Sequence, residues 1–360
     1  MRLLIISLLS SLFVIQASPT EKPSSTAANP LDNQAFLNEY DLFESEEPLK
    51  VELKFDYRRF IKEKYKDKYQ EADLTVFFSE DHVVEGKIRM RARGEFRRRY
   101  CSFPPIKLNF KKSNFDVPAL KELETLKLVN NCKNQADFQQ YIFKERLAYK
   151  MYNQITPISF KVRLLEITYI DSRGKKKPFT RYGFVIEDVD DVAERNECIK
   201  LSVEKTGDRY VDRDQMTLIY IFEYMIGNTD YALGNMHNVK LVQSKNLKAA
   251  QYFVVPYDFD YSGLVNTSYA VPHPDLGIEK VTERVYRGYC RKQEEVDAAV
   301  ALFQEKEETM INLVKNDPYL SKRHRGHMEQ YLEDFYMILQ NKREVRELFV
   351  NGGCRTYSRR

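Results

Sequence analysis

Two short stretches of the chain carry residues whose types and spacing suit phosphoryl transfer. The first is Gly227-Asn228-Thr229-Asp230-Tyr231-Ala232-Leu233-Gly234-Asn235-Met236-His237-Asn238. The second, about twenty residues on, is Pro256-Tyr257-Asp258-Phe259-Asp260-Tyr261-Ser262-Gly263. Phosphoryl transfer needs a carboxylate beside the acceptor hydroxyl and oxygen ligands that hold Mg²⁺ or Mn²⁺ on the nucleotide phosphates. Asp230 and Asn235, five apart in one loop, supply the first carboxylate and one metal ligand. Asp258, on the far arm of a hairpin, can reach back to the same ion. An Asp-x4-Asn loop, a hairpin, then Asp-Phe-x is the order of kinase catalytic machinery. Taken singly, Asp230 and Asn235 also read as turn residues, and Asp258 and Asp260 as a solvated strand end. Their order, following an apolar helix, favours the chemical reading.

A second charged region lies earlier. Between Lys87 and Lys112 there are ten Lys or Arg and a single acid, Glu95. Arg89, Arg91 and Arg93 alternate on one expected strand and so share a face. Such a row suits bidentate binding of phosphate or carboxylate, and equally suits a charged edge strand that discourages aggregation. Weaker signals add little. His324-Arg325-Gly326-His327 resembles half a metal site, no Gly-x-Ser-x-Gly occurs, and the five cysteines (Cys101, Cys132, Cys198, Cys290, Cys354) form no Cys-x-x-Cys pair.

The elements that must position these residues follow from periodicity. Strands are expected at 51–55, 74–78, 83–93, 105–110 and 125–129, then a helix from an Asp137 cap to about Gln154. A hairpin at 162–170 and 182–186 turns at Asp171-Ser172-Arg173-Gly174. The helix Gln215 to Ile226 ends at Gly227, a second hairpin spans 238–242 and 252–256, and amphipathic helices cover 293–315 and 327–349. A β-rich N-terminal lobe (49–187) thus precedes a helical C-terminal lobe (188–360), an α+β plan. Ahead of them, Met1-Arg2 and the apolar run Leu3 to Ile15, closed by Ala17-Ser18, read as a signal peptide (1–18) and 19–48 as a flexible linker. An oxidising compartment then permits disulfides, with Cys101 and Cys132 the first pair to consider, against five separate buried thiols.

Composition narrows the function class. The chain of 360 residues has 57 Lys and Arg against 53 Asp and Glu, a balance that argues against a general nucleic-acid binder. It holds 24 Tyr and 22 Phe, far too many aromatics for a disordered tail. Beyond the N-terminal run no internal stretch is long and apolar enough to span a membrane.

The sequence resembles the CotH-like, spore-coat-type family of atypical protein kinases. The matching segments are Arg93-Gly94-Glu95-Phe96-Arg97-Arg98, Lys107 within Pro105-Ile106-Lys107-Leu108, and Gly183-Phe184-Val185-Ile186-Glu187-Asp188. Asn228-Thr229-Asp230 with Asn235, and Asp258-Phe259-Asp260, complete them. The family's Arg-Gly-Asn-Ser-Ser-Arg-like segment is here Arg-Gly-Glu-Phe-Arg-Arg. The resemblance implies a two-lobed protein-kinase-like fold and transfer from Mg-ATP to Ser or Thr hydroxyls of a protein. It implies Asp230 as the catalytic acid-base residue and Asn235 and Asp258, assisted by Asp260, as metal ligands. Lys107 would lie on the phosphates, paired with Glu145, and Arg93 and Glu187 would join the nucleotide site. The implied protein is exported, periplasmic or extracellular. The alternatives are a non-catalytic envelope scaffold on a degenerate kinase fold and a metal-dependent phosphoesterase using the same Asp cluster.

Overall fold

A computed structural model of the chain describes residues 36–37, 39–246 and 252–356. The expected signal peptide and most of the linker lie outside the described residues.

Seven strands form the first half: β1 (Leu49–Phe55), β2 (Gln70–Phe77), β3 (Val83–Ala92), β4 (Ile106–Asn109), β5 (Thr125–Asn130), β6 (Val162–Asp171) and β7 (Phe179–Ile186). Their alternation works as expected: Leu49, Val51, Leu53 and Phe55 of β1 are buried while Lys50 and Lys54 face out. The strands pair in the order β1-β2-β3-β4-β5-β7-β6, and β1 then pairs with β6 in parallel, Leu49 opposite Leu165 through Phe55 opposite Asp171. The sheet therefore closes into a barrel filled by apolar side chains, among them Leu53, Val76, Met90, Ile106, Leu128 and Ile167. Leu42, ahead of β1, is also buried against this core.

This closure corrects the expected fold. The two-lobed protein-kinase-like architecture is not found; the N-terminal strands make a closed seven-strand mixed barrel, with helices mostly in the C-terminal part. Strand periodicity says which face of each strand is buried but not which strand is its neighbour. Pairing β1 with β6 removes both free edges at once, which an open sheet leaves exposed.

Short helices punctuate the barrel: α1 (Tyr57–Lys62), α2 (Phe96–Tyr100) and α3 (Pro118–Lys121). The long helix α4 (Ala136–Asn153) is capped at Gln135 rather than Asp137; Asp137 lies in the first turn, 3.2 Å from His324 Nε2. That contact accounts for His324 without a metal. Helix α5 (Val189–Arg195) and strand β8 (Cys198–Leu201) lead to α6 (Arg213–Met225), then β9 (Val239–Ser244) and β10 (Tyr252–Pro256). Strands β8, β9 and β10 form a separate three-stranded sheet. The remaining helices are α7 (Gln293–Glu305), α8 (Glu307–Lys315), α9 (Lys322–Gln340) and α10 (Lys342–Arg346). The single helix expected over 293–315 is broken at Lys306, which closes α7 and opens α8.

A second apolar core joins α4, α6, β9, β10, α7 and α9 to the outer face of β7, through residues such as Leu147, Tyr152, Phe222, Phe259, Phe303 and Phe335 with Phe184. Two disulfides are present, Cys101–Cys132 and Cys290–Cys354, and Cys198 is a buried free thiol. The first joins the end of α2 to the end of β5.

Candidate functional site

Helix α6 brings the two chemistry-bearing loops together. Its N-terminal end is tied to β10, because the Gln215 side chain accepts from Val254 N–H at 3.0 Å and donates to Val254 O at 2.7 Å. Its C-terminal end turns at Gly227 (φ +64°), where any Cβ would collide with the Tyr331 hydroxyl. The chain beyond Asp260 is strapped to that end, Gly263 N–H donating to Gly227 O at 3.0 Å and Leu264 N–H to Ile226 O at 2.9 Å. The Tyr257 N–H donates to Asn238 O at 3.0 Å. The loops carrying Asp230 and Asp258 are therefore fixed to each other through backbone bonds.

Within this frame Asp230 is half-buried. Its Oδ1 lies 2.9 Å from His237 Nε2, and Asn238 Nδ2 donates to its Oδ2 at 3.0 Å and to its backbone O at 2.7 Å. Burial raises its pKa; His237 and Asn238 act against the rise, and the charge of Asp258 adds to it. Asp258 adopts φ +68°, a left-handed conformation that costs energy for a residue with a Cβ and is common at functional turns. Its N–H donates to the Tyr149 hydroxyl of α4 at 2.8 Å, and the next residue, Phe259, is fully buried against Tyr149 and Phe222. The turn is held from behind while its carboxylate stays half-exposed.

Behind Asp258 lies a buried charge cluster. Asp260 accepts from the Tyr269 hydroxyl at 2.8 Å and lies 3.5 Å from Arg97 Nη1, which is itself 3.9 Å from Glu145 Oε2. Burial lifts the pKa of Asp260 and Glu145 well above the usual carboxylate range; Asp258 adds to both rises, Asp260 adds to that of Glu145, and Arg97 opposes both. Burial works against the Arg97 charge too, but Tyr269, Asp260, Glu145 and Asp258 outweigh it and raise its pKa. Glu145 Oε1 and Arg97 Nε remain buried without partners. Arg97 is placed by α2, and α2 is pinned by the Cys101–Cys132 disulfide, which packs with Tyr269 in one small cluster.

Cations lie close to Asp258. Lys127 of β5 points outward, its Nζ 4.4 Å from the Tyr257 ring centroid and 6.0 Å from that of Phe160. Burial, Arg93 and Lys240 push its pKa down to about 7, while Asp258 and Asp188 pull upward. Arg93, just past β3, is also felt by Glu145, Tyr149 and Tyr257.

The structure thus brings Asp230, Asp258, Asp260, Glu145 and Arg93 of the expected set into one electrostatic neighbourhood. Other expected residues sit elsewhere. Lys107 lies on β4, directly across from Lys127 in the ladder. Glu145 meets Arg97 rather than Lys107. Asn235 is exposed, its Oδ1 accepting from His237 N–H at 3.3 Å. Glu187 is buried in a structural role, accepting from Lys161 N–H at 2.8 Å and pairing with Arg195 at 2.9 Å. In the arginine row, Arg91 binds Asp67 at 2.5 Å, and Arg89 and Arg91 lie over the Tyr69 ring.

Three residues of the cluster were not singled out by type and spacing. Lys127 is one outward lysine in the alternation Leu126-Lys127-Leu128, and Arg97 is one arginine of three in a run. Asn238 is the amide nearest the start of β9; its position immediately before an apolar strand is the signal that separates it from Asn235.

Comparison with models of protein families returns no match, and no curated protein is significantly similar. The resemblance to the spore-coat-type family therefore has no support from these comparisons. Among solved structures, the chain is similar to the Helicobacter pylori proinflammatory kinase CtkA at 10% sequence identity and a TM-score of 0.39, over 66% of this chain and 92% of that one. A likeness of that size does not establish a common fold, and the functional reading rests on the residues instead.

Arg97 is the only cation bonded to Glu145 and Asp260 among the described residues, so the variant R97M should destabilise the protein by about 3–5 kcal/mol at pH 7. Both carboxyls have raised pKa values and accept protons readily, so the loss should shrink at pH 5. Urea denaturation at the two pH values measures the difference; an equal loss at both would contradict this account.

Proposed function

We propose that this protein is a divalent-metal-dependent phosphotransferase that moves a phosphoryl group from ATP to Ser or Thr hydroxyls of a protein. The observation that carries the reading is that two incomplete charge sets meet at Asp258: it acts on Asp230 and Asp260, and it also acts on Lys127, which Arg93 and Lys240 in turn repel. Each set repels itself, and a nucleotide phosphate with its cation would relieve both.

The residues fit such a cation in one specific respect. Burial and the charges of Asp258 and Asp230 all raise the Asp260 pKa, and Arg97 is the one cation bonded to Asp260 among the described residues, so added positive charge is favourable there. Among the described residues no group of three or more His, Cys, Asp or Glu is arranged to hold a metal ion. Magnesium in phosphoryl-transfer sites takes one or two carboxylates and completes its shell with water and phosphate oxygens. Asp258, with Asp260 behind it and the amide oxygen of Asn238, would hold it, and when bound it would neutralise charge on the transferring group.

The remaining steps belong to the chain. Lys127 and Arg93 bind the phosphates, and the Tyr257 and Phe160 rings beside Lys127 exclude water from them. Asp230, oriented by His237 and Asn238, accepts the proton of the acceptor hydroxyl. Its raised pKa leaves it basic enough to do so once ionised. The two disulfides and the N-terminal apolar run support an exported protein. N-terminal sequencing of the secreted form should begin after Ala17 or Ser18; a chain retaining Met1 would count against export.

D258N should abolish the Mg²⁺-dependent thermal shift produced by ATP. D230N should keep that shift and lower transfer by about 10²–10⁴-fold. If neither wild-type shift nor transfer is found, a non-catalytic binding protein is the better reading. A polyphosphate anion favours the charged form of Lys127, so nucleotide binding at pH 8 should take up close to one proton. Calorimetry in buffers of different ionisation enthalpy reads this uptake, and K127M should remove it.

A further inference from the structure

Beneath the Asp230 loop lies a carboxyl that the chemistry above does not use. Glu223, near the end of α6, is 1% exposed. Its Oε2 accepts from Asn228 Nδ2 at 2.9 Å, and its Oε1 is buried without a partner. Asn228 is equally buried, and its other end, Oδ1, accepts the Asp230 N–H at 3.0 Å. The Asn228 N–H donates to Glu223 O at 2.7 Å, so residue 223 holds Asn228 by both backbone and side chain. On the far side Arg287 donates to Thr229 O and to Tyr231 O, the carbonyls flanking Asp230. Two hydrogen bonds therefore connect Glu223 to the backbone from which Asp230 projects.

We propose that Glu223 is a positioning residue for Asp230, setting the Asn228 amide and through it the Asp230 backbone. The proposal rests on the reading of Asp230 as the residue that accepts the hydroxyl proton. The titratable groups facing Glu223 are Tyr152 from α4, Asp230 and Tyr231 from the loop, and Arg287. Burial pushes Glu223 up to about 8, with Asp230 adding to the rise and Asn228 and Arg287 opposing it. Both tyrosines are pushed up as well, so they stay neutral. At neutral pH Glu223 is therefore mostly the uncharged acid. Because Oε2 accepts from an amide, the proton sits on Oε1. Ionisation above pH 8 places a second buried negative charge close to Asp230 and draws on Arg287, so the loop is held in its working geometry below that pH.

The sign of the stability effect follows from the raised pKa. The unfolded chain loses this proton near the ordinary carboxylate value and the folded chain only near 8, so the wild type loses stability as pH rises between them. The test compares wild type, E223Q and E223A. Gln reproduces the neutral acid, so the melting temperature of E223Q should draw ahead of wild type between pH 5 and 8. Hydrogen exchange at the Asp230 amide should quicken by about tenfold in E223A and stay slow in E223Q at pH 7. With ATP and dephosphorylated casein, E223A should lose kcat with little change in KM for ATP. E223Q should recover kcat and lack the alkaline decline near pH 8. Unchanged Asp230 exchange in E223A, or superposable pH profiles for wild type and E223Q, would overturn the proposal. Absence of transfer by the wild type at every pH would instead remove the catalytic reading, and the exchange measurement would still decide whether Glu223 positions the loop.

Discussion

The architecture around the candidate site depends on how one buried guanidinium is shared. Arg97 lies between Glu145 of the long helix and Asp260 of the second loop, with Tyr269 hydrogen-bonded to the same Asp260. Two carboxylates removed from water at such separation would be untenable as a bare pair. One cation cannot fully compensate them, and the raised pKa of both acids records the deficit. The cluster joins α2, α4 and the Asp258 loop, which belong to different parts of the chain. A buried ion group of this kind is weak evidence for stability, but it specifies which surfaces must meet.

The same logic explains why the barrel and the helices adopt a fixed relation at the site. Arg97 comes from a five-residue helix that has little stability of its own. It is held by the Cys101–Cys132 disulfide to the end of β5, and β5 is also the strand that carries Lys127. Helix α4 supplies Glu145 to the cluster and Tyr149 to the Asp258 turn, one helical turn apart on one face. The acidic and basic halves of the site are thus positioned by elements that contact each other directly, with α6 tying the two loops from below.

Electrostatically, the site is poised rather than satisfied. Burial and two other cations oppose the charge of Lys127 and leave it about half protonated at pH 7, while burial and neighbouring acids make Asp230 and Asp260 resist ionisation. A ligand carrying anionic phosphates and a cation would complete both halves. That complementarity does not require a kinase architecture, which the closed barrel is not.

Much of the local structure was legible in the residues themselves. Alternation marked all seven barrel strands to within a few residues, Gly227 marked the end of α6, and the spacing of Asp230, Asp258 and Asp260 picked out three acids that lie together. The short helix carrying Arg97 was not legible, because Glu95-Phe96-Arg97-Arg98-Arg99 has no amphipathic period long enough to register. Nor was Lys127 distinguishable from its ladder neighbour Lys107, since a ladder places every second residue outward without saying what lies opposite; Asn238 differs from Asn235 in sequence only by standing directly before an apolar strand. The glycine matched at 183 has a reason only in three dimensions: a Cβ there would lie 2.8 Å from Val129 O on the neighbouring strand. Sequence determined which side chains alternate, cap and turn, because those are properties of adjacent residues. Tertiary structure alone decided that β1 would close on β6, and that Arg97 would meet Glu145 and Asp260, because burial of charge depends on partners brought from far along the chain.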